Sequence, residues 1–163
     1  ACATIWSYGH RNPQGLAFHP ATGELYDLEH GPRGGDEVNL VRKGLNYGWP
    51  VISYGMNYNG TPLTGITQKD GMEQPLVQWT PSIAACGLTC YTGDKFPNWK
   101  YDFFAGGLRG ELHRIRIQNG KPIADEILLS GLGRVRDVRS GPDGFLYIIL
   151  NQPDRIVRLV PAE

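Results

Sequence analysis

Short apolar runs broken by Gly, Pro, Asn and Asp recur along the whole chain, and this pattern predicts many short strands rather than long helices. The clearest run is Leu112 to Ile117. Leu112, Arg114 and Arg116 alternate there with His113, Ile115 and Ile117, the period-two signature of a half-buried strand. Asn119-Gly120 follows as a hairpin turn. Val38 and Leu40 alternate in the same way against Asn39 and Val41 within Glu37 to Val41. Further strands are expected at Ala3 to Tyr8, Leu16 to Phe18, Glu24 to Leu28, Leu76 to Trp79 and Cys86 to Tyr91. The series continues with Asp102 to Gly106, Ile123 to Leu129, Val135 to Arg139, Phe145 to Leu150 and Ile156 to Val160. Val51 to Gln74 is long, polar and rich in Gly, Asn and Thr, and reads as an ordered loop on one face.

An internal repeat runs through these strands. Leu16-Ala-Phe-His-Pro-Ala-Thr-Gly-Glu-Leu-Tyr matches Val138-Arg-Ser-Gly-Pro-Asp-Gly-Phe-Leu-Tyr, with a degenerate copy from Leu88 to Ala105. Each copy is apolar strand, Pro/Gly turn, apolar strand, and the last two copies stand about 40–50 residues apart, as propeller blades do. The fold expected is all-β: one domain over residues 1–163, a partial β-propeller of about three four-stranded blades, half of a six-bladed ring. Three blades cannot close a ring, because propellers have 4–8. An open half would expose two sheet edges and half an apolar channel wall. The chain should therefore pair with a second copy of itself, as a homodimer, or with an absent N-terminal half.

Composition sharpens this reading. The chain has 22 Gly and 12 Pro, and they recur as turn punctuation, which favours strands over helices. Sixteen basic residues balance sixteen acidic ones, which counts against both nucleic-acid and membrane-surface partners. The longest apolar run, Phe145 to Leu150, is far short of the roughly 20 residues that span a bilayer. No signal segment is expected at the start, and Ala1, without Met, opens inside a predicted strand, as a truncated start would. Cys2, Cys86 and Cys90 form no Cys-x-x-Cys pair, which disfavours zinc. On one straight strand Cys86 and Cys90 would lie about 13 Å apart, so a disulfide would need a tight bend, and free thiols in small core positions are expected.

Candidate chemistry gathers in Gly9 to Gly35 and at strand ends. Arg11-Asn12, closed by Pro13 and Gly15, suits a planar anionic ligand. Glu29 to Glu37 brings acidic side chains beside bent, carbonyl-rich backbone, which suits a hard cation. The alternative there is a turn in which Asp36 or Glu37 pairs with Arg33. Arg11, Arg109, Arg134 and Arg136 recur at strand ends, and in a radial arrangement they would converge and need an anion among them. The alternative for each is a solvated strand end. His10 and His30 invite a catalytic role, but His10 reads as structural. Asp137 and Asp143 read as bonding turn backbone.

Gly-His-Arg-Asn-Pro-Gln-Gly from Gly9, Glu-His-Gly-Pro-Arg-Gly-Gly-Asp-Glu-Val-Asn from Glu29, Lys43-Gly-Leu-Asn-Tyr-Gly-Trp-Pro50 and Arg134-Val-Arg-Asp-Val-Arg-Ser-Gly-Pro-Asp-Gly resemble one family in order and spacing. That family is the soluble quinoprotein sugar dehydrogenases, the PQQ-dependent glucose/aldose/sorbosone dehydrogenases, where PQQ is pyrroloquinoline quinone. The resemblance covers nearly all of this chain but only about the C-terminal half of the family's length. It implies an oxidoreductase that moves a hydride from sugar C1 to PQQ. Residues matching Arg11, Asn12, Arg134 and Arg136 hold the cofactor, a family Lys aligns with Arg109, and a Trp matching Trp79 borders it. Carbonyls matching Gly31 and Pro32 bind calcium, and groups matching Glu37 and Tyr47 hold a second calcium. The family's general-base His lies in an N-terminal segment without counterpart here, so no catalytic residue is assigned and the chain alone should be weak or inactive. A non-catalytic half-propeller binding module, assembled as a homodimer, is the alternative. The family is usually periplasmic or secreted.

Overall fold

The structure, a computed structural model, describes residues 4–162. Eleven strands form, with one short 3-10 turn, Pro97–Trp99, and no α-helix among the described residues. The first blade is β1 (Pro13–Phe18), β2 (Leu25–Glu29), β3 (Asp36–Val41) and β4 (Val77–Trp79), hydrogen-bonded in that order. The second is β5 (Ala85–Cys90), β6 (Phe103–Gly107), β7 (Glu111–Gln118) and β8 (Lys121–Ser130). The third is β9 (Arg134–Ser140), β10 (Leu146–Asn151) and β11 (Arg155–Leu159). All pairings are antiparallel.

The three copies of the sequence repeat are the inner hairpins β1–β2, β5–β6 and β9–β10 of the three blades. Their first strands stand side by side, β1 on β5 and β5 on β9. Glycine permits this approach. A Cβ on Gly15 would fall 2.6 Å from the Leu88 nitrogen, and one on Gly87, at φ +80°, 2.7 Å from the Asp137 Cα. Two cores fill the seams. Tyr26, Leu28, Val38, Leu88, Phe103 and Ile115 pack between blades one and two. Phe104, Leu112, Val138, Leu146 and Ile148 pack between blades two and three. Burial of apolar area at these seams is the main stabilising term.

Two expectations change. Among the described residues the third blade has three strands, not four, and β11 is its outer edge. Ala3 to Tyr8 is not a sheet strand: its first residue lies outside the described residues, and the rest bonds irregularly to a loop. Trp6 O accepts the Gly44 N–H, and Tyr8 exchanges bonds with Leu45 and Tyr47. Val51 to Gln74 is the ordered loop expected, stitched to Arg33 through Met56. Cys86 and Cys90 are free thiols, half-buried and buried respectively; Cys2 lies outside the described residues.

Antiparallel pairing also decides which residues share an end. Pro13 pairs with Glu29, Asp36 with Trp79, Ala85 with Gly107, Glu111 with Ser130 and Asn151 with Arg134. The Arg11-Asn12 knuckle, the Glu29–Asp36 turn, Arg109 and Arg134 therefore all stand at one mouth of the half-ring.

Candidate functional site

On β2, Tyr26 and Leu28 face the seam core, so the period of two turns Asp27 and Glu29 to the other face. There they pair across the ladder with Asn39 and Glu37 of β3. The 7–10 segment and the 43–49 loop cover them. His10 Nδ1 lies 3.2 Å from Asp27 Oδ2 and 2.6 Å from Glu29 Oε1, its Nε2 bonds Ser7 Oγ at 2.8 Å, and its ring stacks on Tyr47 at 4.6 Å. Asp27 and Glu29 hold the imidazolium and push its pKa up to about 9. His10 is thus a charged structural bridge and not a free base. Glu29 Oε2 also accepts the Arg11 N–H at 2.6 Å and the Asn12 N–H at 3.2 Å.

Beside this bridge lies a polar cavity of about 20 Å³, room for one water or one ion. Gly31 and Pro32, expected to hold one calcium, and Glu37 and Tyr47, expected to hold a second, all line this one single-ion space, together with Arg11 and Glu29. Burial, with the Glu29 carboxylate next, pushes the half-buried Glu37 up to about 7. Burial also raises Asp27 against the pull of His10, and Asp27 Oδ1 is buried without a hydrogen-bond partner. His10 pairs with Asp27 and Glu29, and among the described residues the cavity's Glu37 is left without an ion-pair partner. A cavity lined by the Glu29 and Glu37 carboxylates beside the bent backbone of Gly31 and Pro32 fits a hard cation. The Tyr47 phenol is already spent, donating to Leu40 O at 2.6 Å and accepting from the Arg42 N–H at 2.8 Å. Only its main-chain oxygen is left for a cation. Asp36 does not pair with Arg33; it is fully buried and accepts three protein donors instead.

A cleft of about 600 Å³ opens next to the cavity, lined by His30, Arg33, Met56, Tyr58, Ser82 and Arg109 among others. His30 and Pro32 line both spaces, so the Glu29–Glu37 turn is their partition. Arg11 sits at that partition. Its Nη1 donates to His30 O at 2.6 Å, its Nη2 reaches Tyr58 Oη at 3.5 Å, and its guanidinium lies 5.3 Å from the Trp49 ring centre. Arg109 is exposed, and among the described residues its guanidinium donates only to Ser82 O, at 3.2 Å, leaving donors free for an anion. The cleft's volume suits a small planar ligand.

The remaining expected residues lie elsewhere. Asn12 supplies main-chain bonds, and its side chain accepts from Gln14 Nε2 at 2.7 Å. Trp79 does not line the cleft. It is buried on the outer strand β4, and its indole donates to Asp125 at 2.8 Å, beside His113. Arg134 and Arg136 share the mouth but not the cleft. They stand on β9, where Arg136 donates to Asn151 at 3.3 Å. Among the described residues the three blades do not close a ring, and the cleft that Arg109 lines is lined by neither Arg134 nor Arg136.

The family model for Glucose / Sorbosone dehydrogenase matches residues 1–158. The chain belongs to that family. Within the glucose/sorbosone dehydrogenases, it is 44% identical over 156 residues to the aldose sugar dehydrogenase YliI of Escherichia coli, covering 93% of this chain and 42% of that one. A solved glucose dehydrogenase superposes with a TM-score of 0.91 at 45% identity, covering 98% of this chain and 47% of the other. The PQQ-bound aldose sugar dehydrogenase of Streptomyces coelicolor gives a TM-score of 0.72 at 29% identity, covering 96% and 45%. The chain spans less than half the length of these relatives.

Sequence reasoning placed Glu29 in the acidic turn but missed Asp27, Met56 and Tyr58. Asp27 and Glu29 were visible as acids at i and i+2 on a strand whose alternate residues are apolar. Met56 and Tyr58 sit in a loop without periodicity, and only tertiary folding brings them to Arg11 and Arg109.

Proposed function

We propose that this chain is the cofactor- and calcium-binding half of a PQQ-dependent aldose sugar dehydrogenase. The observation that carries the reading is the shared wall between two spaces. An acidic, carbonyl-rich cavity for a cation adjoins a cleft lined by Arg109 for an anion, and Arg11 reaches the cleft's Tyr58 from the cavity side. Gly31, Pro32, Glu29, Glu37 and the Tyr47 carbonyl would hold calcium. Arg11 and Arg109 would hold the carboxylates of PQQ, with Arg134 and Arg136 closing on it when the ring is complete. Bound PQQ supplies the acceptor for a hydride from the sugar's C1. The protein's part is to bind, to orient and to keep the local charge balanced.

Turnover also needs a base for the sugar hydroxyl proton, worth about 10²–10⁴ in rate. His10 is committed to Asp27 and Glu29, and the family's base segment has no counterpart in these 163 residues. The chain by itself therefore binds cofactor without efficient turnover. The partner is a preceding half or a second copy, laid against the open face of blade one, where Trp6, Leu16 and Phe18 are exposed. That apolar face also favours a second reading, a non-catalytic module that assembles as a homodimer. One experiment tests the first reading: titrate purified protein with PQQ and calcium, then add glucose and a dye acceptor. Binding with little dye reduction supports it. Absence of PQQ binding favours the module, and dye reduction at ordinary enzyme rates overturns the claim of inactivity.

A further inference from the structure

Asp36, the first residue of β3, is fully buried and does not line the cation cavity. Its Oδ1 accepts the Gly31 N–H at 2.8 Å, and its Oδ2 accepts the Ala85 N–H at 3.0 Å. The Ser82 hydroxyl lies 2.9 Å from both oxygens. These donors come from two blades. Gly31 belongs to the cation turn of blade one, and Ser82 and Ala85 lead into blade two.

Both attachments are tight. A Cβ on Gly31 would fall 2.3 Å from Gly35 O, so that turn is closed on its own backbone. Ala84 sits at φ +57°, where side-chain-bearing residues are uncommon and persist only if their surroundings hold them. What holds it is the Ser82 hydroxyl, which accepts the Ala84 N–H at 2.9 Å while it bonds Asp36. The Ser82 carbonyl in turn accepts Arg109 Nη1 at 3.2 Å. One buried carboxylate thus reaches the Gly31 peptide directly and the Arg109 guanidinium through a single residue.

We propose that Asp36 is a positioning residue that locks the cation turn of blade one to the Arg109 anchor of blade two. What those two groups bind rests on the function proposed above; the lock itself does not. Its purpose is registration: a cation and an anionic cofactor that meet at a shared wall need their two half-sites fixed across a blade seam.

The test uses Asp36→Asn and Ser82→Ala. Asn keeps the size and one acceptor but presents an NH₂ group where Ala85 needs an acceptor. In Asp36→Asn, calcium affinity by calorimetry and PQQ affinity by absorbance titration should both fall about 10–100-fold, the usual effect of losing a partner behind a ligand. Ser82→Ala keeps the Gly31 bond, so PQQ affinity should fall more than calcium affinity. In calcium-free protein, amide exchange at Gly31 and Ala85 should quicken in Asp36→Asn. A lower melting temperature with both affinities unchanged in both variants overturns the proposal. If Asp36→Asn does not fold, Ser82→Ala decides, and wild-type PQQ affinity there overturns it. If the wild type binds neither calcium nor PQQ, the function proposed above falls, and unchanged exchange at Gly31 and Ala85 would separately overturn the lock.

Discussion

Glu37 offers the sharpest single perturbation, because its charge should harm the cation-free fold and help the cation-bound one. Burial and the neighbouring Glu29 carboxylate raise its pKa from an ordinary 4.5 to about 7. An acid raised on folding costs nothing below its ordinary value and its full cost above the folded one. Stability should therefore drain away as pH climbs from about 4.5 to about 7. Each tenfold in proton affinity is worth about 1.4 kcal/mol, so the cost above pH 7 is at most roughly 3 kcal/mol. Glu37→Gln removes it while keeping shape and the acceptor facing Asn39 Nδ2. In chelator at pH 8 the variant should be about 1–3 kcal/mol more stable. At about 2–4 °C per kcal/mol for a chain of this size, that is a rise of a few to roughly ten degrees. At pH 4.5 the two should melt together. Calcium at a hundred times its dissociation constant adds about 2.7 kcal/mol to the form that binds it. That gain belongs mainly to the wild type, so the gap should close or reverse. Thermal and urea melts at both pH values, each with chelator and with calcium, make the assay. A variant no more stable than wild type in chelator at pH 8, with an equal calcium gain, would refute the reasoning.

Arg109→Ala should weaken PQQ binding at least tenfold and leave calcium affinity within about twofold; equal losses of both would remove its assignment as an anion anchor. Arg114 is buried, donating to Asp102 at 2.6 Å, to Asn98 O at 3.0 Å and to Glu126. Arg114→Ala leaves Asp102 buried with a poorer partner and should cost about 3–5 kcal/mol in urea melts, and a loss under 1 kcal/mol would contradict this. His113 is also buried; burial opposes its charge, but Asp125 and then Glu111 overcome that and raise its pKa. Its stabilisation should be whole below about pH 6.5 and fade as pH rises through the folded value, so the deficit of His113→Gln in urea melts should be larger at pH 6 than at pH 9. Equal deficits at the two pH values would show that the ion pair is not the source.

Strands were legible in the sequence because each answers to a local rule. The alternation at Leu112 to Ile117 gave β7, and Asn119-Gly120 gave the turn into β8. The repeated strand–turn–strand unit gave the inner hairpin of each blade. Ala3 to Tyr8 failed the same rule, because an apolar run does not say whether its partner is a strand or, as here, the 44–47 loop.

Gly31, Pro32, Glu37 and Tyr47, singled out by the family resemblance, line one cavity because they lie close along the chain and one loop after β2 gathers most of them. What sequence alone determined, then, is whatever depends on near neighbours: strand periodicity, turn chemistry, the acidic turn. Tertiary structure decided what depends on long-range packing. It placed Asp27 and Glu29 against His10, 17 and 19 residues away in the chain. It spent the Trp79 indole on Asp125, 46 residues on, instead of at the cleft. It left Arg134 and Arg136 outside the cleft that Arg109 lines, in a half-ring that among the described residues does not close. It also joined Gly31 to Ser82 and Ala85 through Asp36, a contact that exists only once two blades have met.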